Sequence, residues 1–285
     1  MQISVVMPLR NVESTLAEAL EALLAQKWSG DWEVVLVNNR STDSTLAICE
    51  EYALRDERVR VVQAAERDGL AYARQTGFDA TTSAMVLICD GDDVVVPGWL
   101  AAMAGALERG EVATGPCDVS VLNPQWLANS RGVYPPDRPL EWQGIFPIAS
   151  GGNFGVRRDT FIRIGGFKDD FIGAEDHEFS LRLFVAKIPL IFEPNARLLY
   201  RMRGEPRTLW RQGLTYGRNR PKLRREVERS GLRPPGRLSG WRSWVRLLTT
   251  LPRLRSSSGR AQWCWVAGVR LGHLQGSIRD RTVFL

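Results

Sequence analysis

The 285-residue sequence holds only four cysteines and two histidines, and neither residue type is clustered. Cys49, Cys89, Cys117 and Cys264 form no CxxC pair, so the sequence suggests neither a zinc site nor a disulfide framework, and a reducing cytoplasm is the expected setting. His177 and His273 are too few for a histidine-rich metal centre, and no Ser-His-Asp or Cys-His nucleophile arrangement stands out. No stretch approaches the roughly 18 uninterrupted apolar residues of a spanning helix. Nor does a charged n-region followed by a long apolar segment open the chain, so no targeting leader is expected. Internal repeats and low-complexity segments are not evident. With 44% hydrophobic residues the chain can bury one substantial core plus an appendage. Its chemistry has to rest on carboxylates.

The run Val86-Leu87-Ile88-Cys89-Asp90-Gly91-Asp92-Asp93 concentrates them, because an apolar strand-like segment ends in three carboxylates within four residues. Like charges crowded at a strand end repel unless a divalent cation, basic groups or water screens them. Hard oxygen ligands suit Mg2+ or Mn2+, and an octahedral ion with open positions can hold the phosphates of a nucleotide. A solvated acidic turn is the plain alternative, and context decides between the two. Ile3-Ser4-Val5-Val6-Met7-Pro8 is a β-branched run closed by proline, and residues 11–24 carry apolar residues at helical spacing. A second strand is predicted at residues 33–38, then a helix over 44–52 capped by Ser41-Thr42-Asp43. A third strand over 59–62, a helix over 69–79 and a fourth strand over 85–89 complete the pattern. Such alternation argues for a mostly parallel sheet covered by helices, with ligands beyond the carboxyl ends of the strands, where the acidic cluster lies.

Five segments then carry a family resemblance in order and spacing. Ser4-Val5-Val6-Met7-Pro8, the run from Val37 to Thr45, Ala73-Arg74 with Gly77, Asp90-Gly91-Asp92-Asp93 and Glu175-Asp176-His177 resemble an inverting family 2 glycosyltransferase of the GT-A fold. The resemblance covers roughly the first two hundred residues. It implies a Rossmann-like, nucleotide-diphospho-sugar transferase sheet, a nucleotide-sugar donor, and Mn2+ or Mg2+ held by Asp92 with Asp90. It also implies direct displacement at the anomeric carbon, giving a β-linked product from an α-linked donor. Pro8 and Arg10 then close the first strand beside the nucleotide. In many members two aspartates end the second strand, the second resembling a uracil-binding residue; here those positions are Asn38 and Asn39, and an amide both donates and accepts where a carboxylate only accepts. A uridine nucleotide is the first expectation, with guanosine and thymidine nucleotides open. Asp68 and Arg74 are expected beside the base and ribose, where Arg74 could balance the carboxylates or the diphosphate, or form an ordinary surface ion pair.

The second half of the expected site is Gly151-Gly152-Asn153-Phe154-Gly155 and the Glu175-Asp176 pair. The resemblance places Gly152 and Asn153 under the donor sugar and acceptor, since glycine lets a backbone approach a ligand closely. Glu175 and Asp176 open a helix predicted over 178–186, whose N-terminus favours negative charge. Asp176 is assigned as general base, taking the proton of the attacking acceptor hydroxyl, and Glu175 as orienting the acceptor. His177 is expected to be a packed or solvent-facing histidine, with contact to phosphate or acceptor as the alternative. Arg201 and Arg203 follow a strand over 189–192 and could bind the donor phosphates or a phosphate of a lipid-linked acceptor, or belong only to the basic tail. The segment 119–147, rich in proline and tryptophan, is expected to form a flexible loop over the site.

Charge divides the chain. Residues 1–200 carry 18 Lys and Arg against 28 Asp and Glu, whereas residues 201–285 carry 20 against 4. The expected division is a catalytic domain over 1–205 and a basic, Trp-rich helical region over 206–285. Pro234-Pro235-Gly236 and Ser256-Ser257-Ser258-Gly259 break the latter into about three short helical pieces. Arginine interleaved with Trp210, Trp241, Trp244, Trp263 and Trp265 suits an anionic membrane surface on the inner face of the cell membrane. A helical cap on the catalytic domain or an oligomer contact is the competing reading; nucleic-acid binding is not expected, because no recognition module accompanies the charge. The expected function is inverting sugar transfer to an acceptor hydroxyl in cell-surface polysaccharide or glycolipid synthesis, the acceptor being a glycan, a lipid-linked or a small molecule. The alternatives are a soluble natural-product glycosyltransferase and a catalytically silent sugar-nucleotide-binding or membrane-recruitment subunit. A nucleotidyltransferase would usually show a glycine-rich basic loop after the first strand, and Pro8-Leu9-Arg10-Asn11 is not one.

Overall fold

The computed structural model describes residues 3–130, 134–236, 240–282 and 284. In chain order the first half runs β1 (Ile3–Leu9), α1 (Leu16–Leu24), β2 (Trp32–Asn38), α2 (Thr45–Arg55), β3 (Val59–Gln63), α3 (Leu70–Asp79), β4 (Met85–Cys89), β5 (Val94–Val95), α4 (Trp99–Arg109), β6 (Val112–Thr114) and β7 (Cys117–Asp118). It continues through α5 (Gln125–Ala128), β8 (Glu141–Trp142), β9 (Phe146–Pro147), β10 (Asn153–Arg157), α6 (Arg158–Ile164), α7 (Glu175–Val185), β11 (Leu190–Phe192) and β12 (Leu198–Leu199). The C-terminal region holds α8 (Pro206–Arg218), α9 (Arg220–Arg229), α10 (Trp241–Thr249), a 3-10 turn (Leu251–Arg255) and α11 (Ser257–Arg279).

Seven strands form one sheet in the order β11-β6-β10-β4-β1-β2-β3, and only β10 runs against the rest. The sheet is therefore mostly parallel, as the alternation of elements requires. Every residue of β1 is buried because helices cover both faces. Its alternating side chains divide between two cores: Ile3, Val5, Met7 and Leu9 enter one, and Val6 enters the other with Phe78, Phe154, Phe161 and Phe179. The topology puts the carboxyl ends of β1, β2 and β4 on one edge, with Leu9, Asn38 and Cys89 as their last residues.

Several boundaries differ from those predicted. The helix expected from residue 11 starts at Leu16, because the 41–45 segment ties the preceding residues into a turn: Asn11 Oδ1 accepts from the Thr42 amide at 2.8 Å, and the Val12 amide donates to Thr45 Oγ1 at 2.9 Å. Pro8 does not end β1, which runs one residue further. The helix expected from residue 178 begins at Glu175, placing both site carboxylates in its first turn. The segment 119–147 is not a structureless loop where described. It carries α5 and the β8–β9 hairpin, whose Trp142 and Phe146 join an apolar cluster; residues 131–133 lie outside the described residues.

The basic tail is also more ordered than three short pieces. Ser256 does not break a helix but caps one, its hydroxyl accepting from the Gly259 amide at 3.0 Å, and α11 then continues for 23 residues. Packing onto α8 requires glycine. Gly213 and Gly217 face Gly268 and Gly272, Gly276 lies against the Arg218 carbonyl, and a Cβ on Gly272 would lie 2.5 Å from the Leu214 carbonyl oxygen and 2.8 Å from Gly217 Cα. The tail helices also pack on the preceding α/β part of the chain: Leu223 and Val227 of α9 cluster with Phe171 and Leu181, and Leu209 of α8 and Ala261 of α11 with Leu127 and Met202. Among the described residues no helix is long and apolar enough to cross a membrane.

Candidate active site

A cavity of about 650 Å³ opens at the carboxyl edge of the sheet. The end of β1 and the turn after it line it through Pro8 and Arg10, the residue after β2 through Asn39, the acidic turn after β4 through Asp90, Gly91 and Asp92, and the irregular segment after β12 through Arg201 and Arg203. The turn is shaped by packing. A Cβ on Gly91 would fall 2.1 Å from Leu9 Cδ2, so glycine lets the acidic loop lie against the end of β1 without displacing the Leu9 side chain. Arg201 holds the same loop from the other side, its amide donating to Asp93 Oδ1 at 2.8 Å and its Nε to the Asp92 carbonyl at 3.0 Å, while its guanidinium reaches Glu18. Arg203 is exposed at the cavity, where its charge acts on the Asp92 carboxylate.

Beneath the cavity lies Arg74, a buried guanidinium with 2% of its side chain exposed. Its Nη2 pairs with Asp90 Oδ1 at 3.0 Å and its Nη1 with Glu175 Oε1 at 2.9 Å. Burial opposes its charge, but Asp90, Glu175 and Asp176 together raise its pKa above the ordinary value. Of the roles open in the sequence, balancing the carboxylates is the one the geometry gives; the side chain is enclosed and stands away from the cavity lining. The Gly151–Gly152 backbone lies directly on this cluster. A Cβ on Gly151 would come 2.7 Å from Arg74 Nη1, and one on Gly152 2.9 Å from Asp90 Oδ2.

Asp176 accepts from the Gly151 amide at 3.2 Å, and its Oδ1 lies 2.7 Å from His177 Nδ1. Burial pushes its carboxyl up, but His177, Arg74 and the Gly151 amide overcome that and hold it below the usual aspartate range, so it stands ionised at neutral pH. His177 is thus a partner of Asp176, a pairing that the sequence reading did not assign. Asp92 is the opposite case: burial and neighbouring Asp90 push it up to about 6, against Arg203 and Arg201. Asp93 is raised well above the ordinary range by burial and by Asp92 and Asp90, and its buried Oδ2 has no hydrogen-bond partner.

These raised carboxyls are what a divalent cation would relieve, and their hard oxygens suit Mg2+ or Mn2+. Among the described residues no group of three or more His, Cys, Asp and Glu is placed to hold a metal unaided. The donor set fits an ion that takes one or two protein carboxylates and completes its shell with phosphate and water.

Other expected site residues lie elsewhere. Asn153 is fully buried behind the cavity: its Oδ1 accepts from Trp99 Nε1 at 2.8 Å, and its Nδ2 donates to the carbonyls of Ala196 and Pro116 at 3.0 and 3.2 Å. With those bonds made, it supports the fold and leaves no polar atom for a ligand. Glu175 is enclosed under Arg74, so it positions that guanidinium and does not face an acceptor. Asp68 stands outside the cavity lining, paired with Arg10 at 3.0 Å and Arg40 at 3.3 Å. Asn39 faces the cavity, yet its side chain ties down the next loop: Nδ2 donates to the carbonyls of Ala64 and Arg67 at 2.7 and 2.8 Å, and Oδ1 accepts from the Gly69 amide at 3.0 Å. A carboxylate could not donate those two bonds, which explains the amide at this position. Sequence reasoning missed Tyr200, and Gln212 and Tyr216 of α8, which complete the cavity wall. Only the docking of α8 brings the last two there.

Residues 4–165 match the family model described as Glycosyl transferase family 2. The chain is 30% identical over 193 residues to the uncharacterized glycosyltransferase EpsJ of Bacillus subtilis, covering 64% of this chain and 56% of that protein. To the O-antigen biosynthesis protein RfbC of Myxococcus xanthus it is 33% identical over 189 residues, covering 64% of this chain and 14% of that one. The chain thus spans little more than half of one relative and a small part of the other. Among solved structures, the mannosyltransferase PcManGT from Pyrobaculum calidifontis in complex with GDP-Man and Mn2+ superposes with a TM-score of 0.68 at 20% identity, covering 95% of this chain and 86% of that one. S. aureus TarS 1–349 in complex with UDP-GlcNAc gives 0.58 at 17% identity, covering 99% and 93%. At these identities the likeness to the solved structures is one of fold.

Proposed function

The chain belongs to glycosyl transferase family 2, and from that premise we propose that it is a cation-dependent, inverting enzyme moving a sugar from a nucleoside-diphosphate donor to an acceptor hydroxyl of a surface glycan. The observation that carries this reading is the single cluster built around Arg74, which joins the acidic turn after β4 to the first turn of α7 at the base of the cavity. Asp92, with Asp90, would hold Mn2+ or Mg2+. When bound, the ion supplies positive charge against the leaving diphosphate. Arg203, exposed at the cavity beside Asp92, binds the same diphosphate. Asp176, ionised and oriented by His177 and the Gly151 amide, takes the proton from the attacking hydroxyl. Attack opposite the leaving diphosphate inverts the anomeric carbon. A UDP-sugar is the first donor to try; mannosyltransferase PcManGT was solved with GDP-Man, so GDP-sugars belong in the same panel.

The test is a panel of UDP-, GDP- and dTDP-sugars, with Mn2+, Mg2+ or chelator, read by thermal stabilisation and by release of nucleoside diphosphate. A donor at about a hundred times its dissociation constant should stabilise the protein by ~2.7 kcal/mol. Asp92→Ala should abolish the cation-dependent part. Asp176→Asn should keep donor stabilisation and lose turnover by roughly 10²–10⁴. A chain that no nucleotide stabilises, or an Asp176→Asn variant that turns over like the parent, overturns the assignment.

A further inference from the structure

The α10 helix is attached to the molecule along one side only. Leu247 is its one buried residue, and Trp263 Nε1 of α11 donates to the Leu247 carbonyl at 3.1 Å. Turned away from that contact are Trp241, Val245 and Leu248, exposed by 56%, 46% and 71%, and Leu251 of the following 3-10 turn is exposed by 46%. The first three stand four and then three residues apart, so they share one helical stripe. Arg242 and Arg246 flank it, and Arg253 and Arg255 extend the basic edge along the 3-10 turn, all four exposed. The sequence has no Asp or Glu from residue 229 to residue 279, so nothing acidic from this segment neutralises that edge.

We propose that α10 and the 3-10 turn dock this protein on the anionic surface of a lipid bilayer. An apolar stripe edged by arginine matches the bilayer interface, where side chains enter the acyl boundary and guanidinium groups meet lipid phosphate. Nine helical residues span about 13 Å, enough to lie in the interface and far too little to cross it. The charge disfavours a second copy of the chain as occupant. A self-contact along this stripe would bring arginine edges together with no carboxylate from the segment to separate them. The surface is linked to the site through α11. The α11 helix that carries α10 contributes Ala261 to the cluster containing Met202, and Met202 lines the cavity. The docking surface stands independently of the donor and reaction proposed above.

The experiment is co-flotation of the full chain with vesicles of phosphatidylcholine alone or of phosphatidylcholine mixed with phosphatidylglycerol, at low and high salt. Each exposed arginine near such a surface is worth roughly fivefold in partitioning. Binding should therefore favour the anionic vesicles by tenfold or more and weaken with salt. Leu248→Glu and Arg242→Glu/Arg246→Glu lie on exposed positions, and thermal melting checks that both variants fold. Each should lose at least tenfold in vesicle binding while its melting temperature is kept. Equal binding to both vesicle types, no binding, or a Leu248→Glu variant that floats like the parent would overturn the proposal. So would a concentration-dependent dimer that Leu248→Glu dissolves, since the stripe would then be covered by a second copy.

Discussion

Replacing Arg74 by methionine keeps most of its length and removes its charge, which leaves Glu175 and Asp90 without their shared partner. At an effective dielectric of about 20, each contact represents ~4 kcal/mol of gross attraction at 4 Å. The two do not count equally. Asp90 keeps 24% of its side chain exposed, and water will screen it once the arginine is gone, whereas Glu175 has 4% and no route to solvent. Stranding one buried carboxylate typically costs about 3–5 kcal/mol, so Arg74→Met should destabilise the fold by that amount at neutral pH. The cost carries a pH signature. Burial already raises the Glu175 pKa, partly offset by Arg74. An acid with a raised folded-state pKa loses stability as pH climbs from its unfolded value through its folded value. Without Arg74 the folded value rises further, so the deficit should be greatest at neutral pH and shrink as pH falls toward the ordinary glutamate range. Urea unfolding at several pH values measures this directly. Arg74→Met/Glu175→Met, which removes the stranded charge too, should regain more than half of the loss. A single variant costing under ~1 kcal/mol, or a double variant no more stable than the single, would refute the view of Arg74 as the buried counter-ion of the site.

Three further outcomes follow from particular contacts. Asn39→Asp removes the donor shared by the Ala64 and Arg67 carbonyls, and urea unfolding should show a loss of about 1–3 kcal/mol. Gly272→Ala should lower the melting temperature, because overpacking of ~1–3 kcal/mol between the backbones of α8 and α11 outweighs the ~1 kcal/mol gained in helix propensity; Gly105→Ala in α4, where the added Cβ meets nothing closer than 3.7 Å, should raise it. Because Asp92 is raised to about 6, its burial costs stability increasingly as pH rises from the usual aspartate range to that value, and a cation can relieve the cost only once the group is ionised. Stabilisation by Mn2+ should accordingly be larger at pH 7.5 than at pH 5; an equal effect at both would place the ion away from Asp92.

Strands and local helices were legible in the sequence because each is stated within a few residues. Ile3 to Pro8 and Val86 to Cys89 are apolar runs that only a doubly covered strand accommodates, and the acidic cluster after the second marks the ligand edge of the sheet. The order of five short motifs was enough to give the family. By itself the sequence thus determined the fold class and which edge of the sheet carries charge, since these depend on patterns local to the chain. Tertiary structure decided what each polar side chain faces. Whether Arg74 meets phosphate or carboxylate depends on Glu175, 101 residues away. Asn153 became a support for the fold through Trp99 and two distant carbonyls, and His177 became the partner of Asp176 only once the helix start fixed its ring and that carboxylate in one turn. Gln212 and Tyr216 reached the cavity because glycines on α8 and α11 let two backbones approach closely, a pairing that no local pattern states. Local propensity acts over a turn or a strand, whereas burial, charge balance and close approach are properties of residues that meet only after the chain has folded.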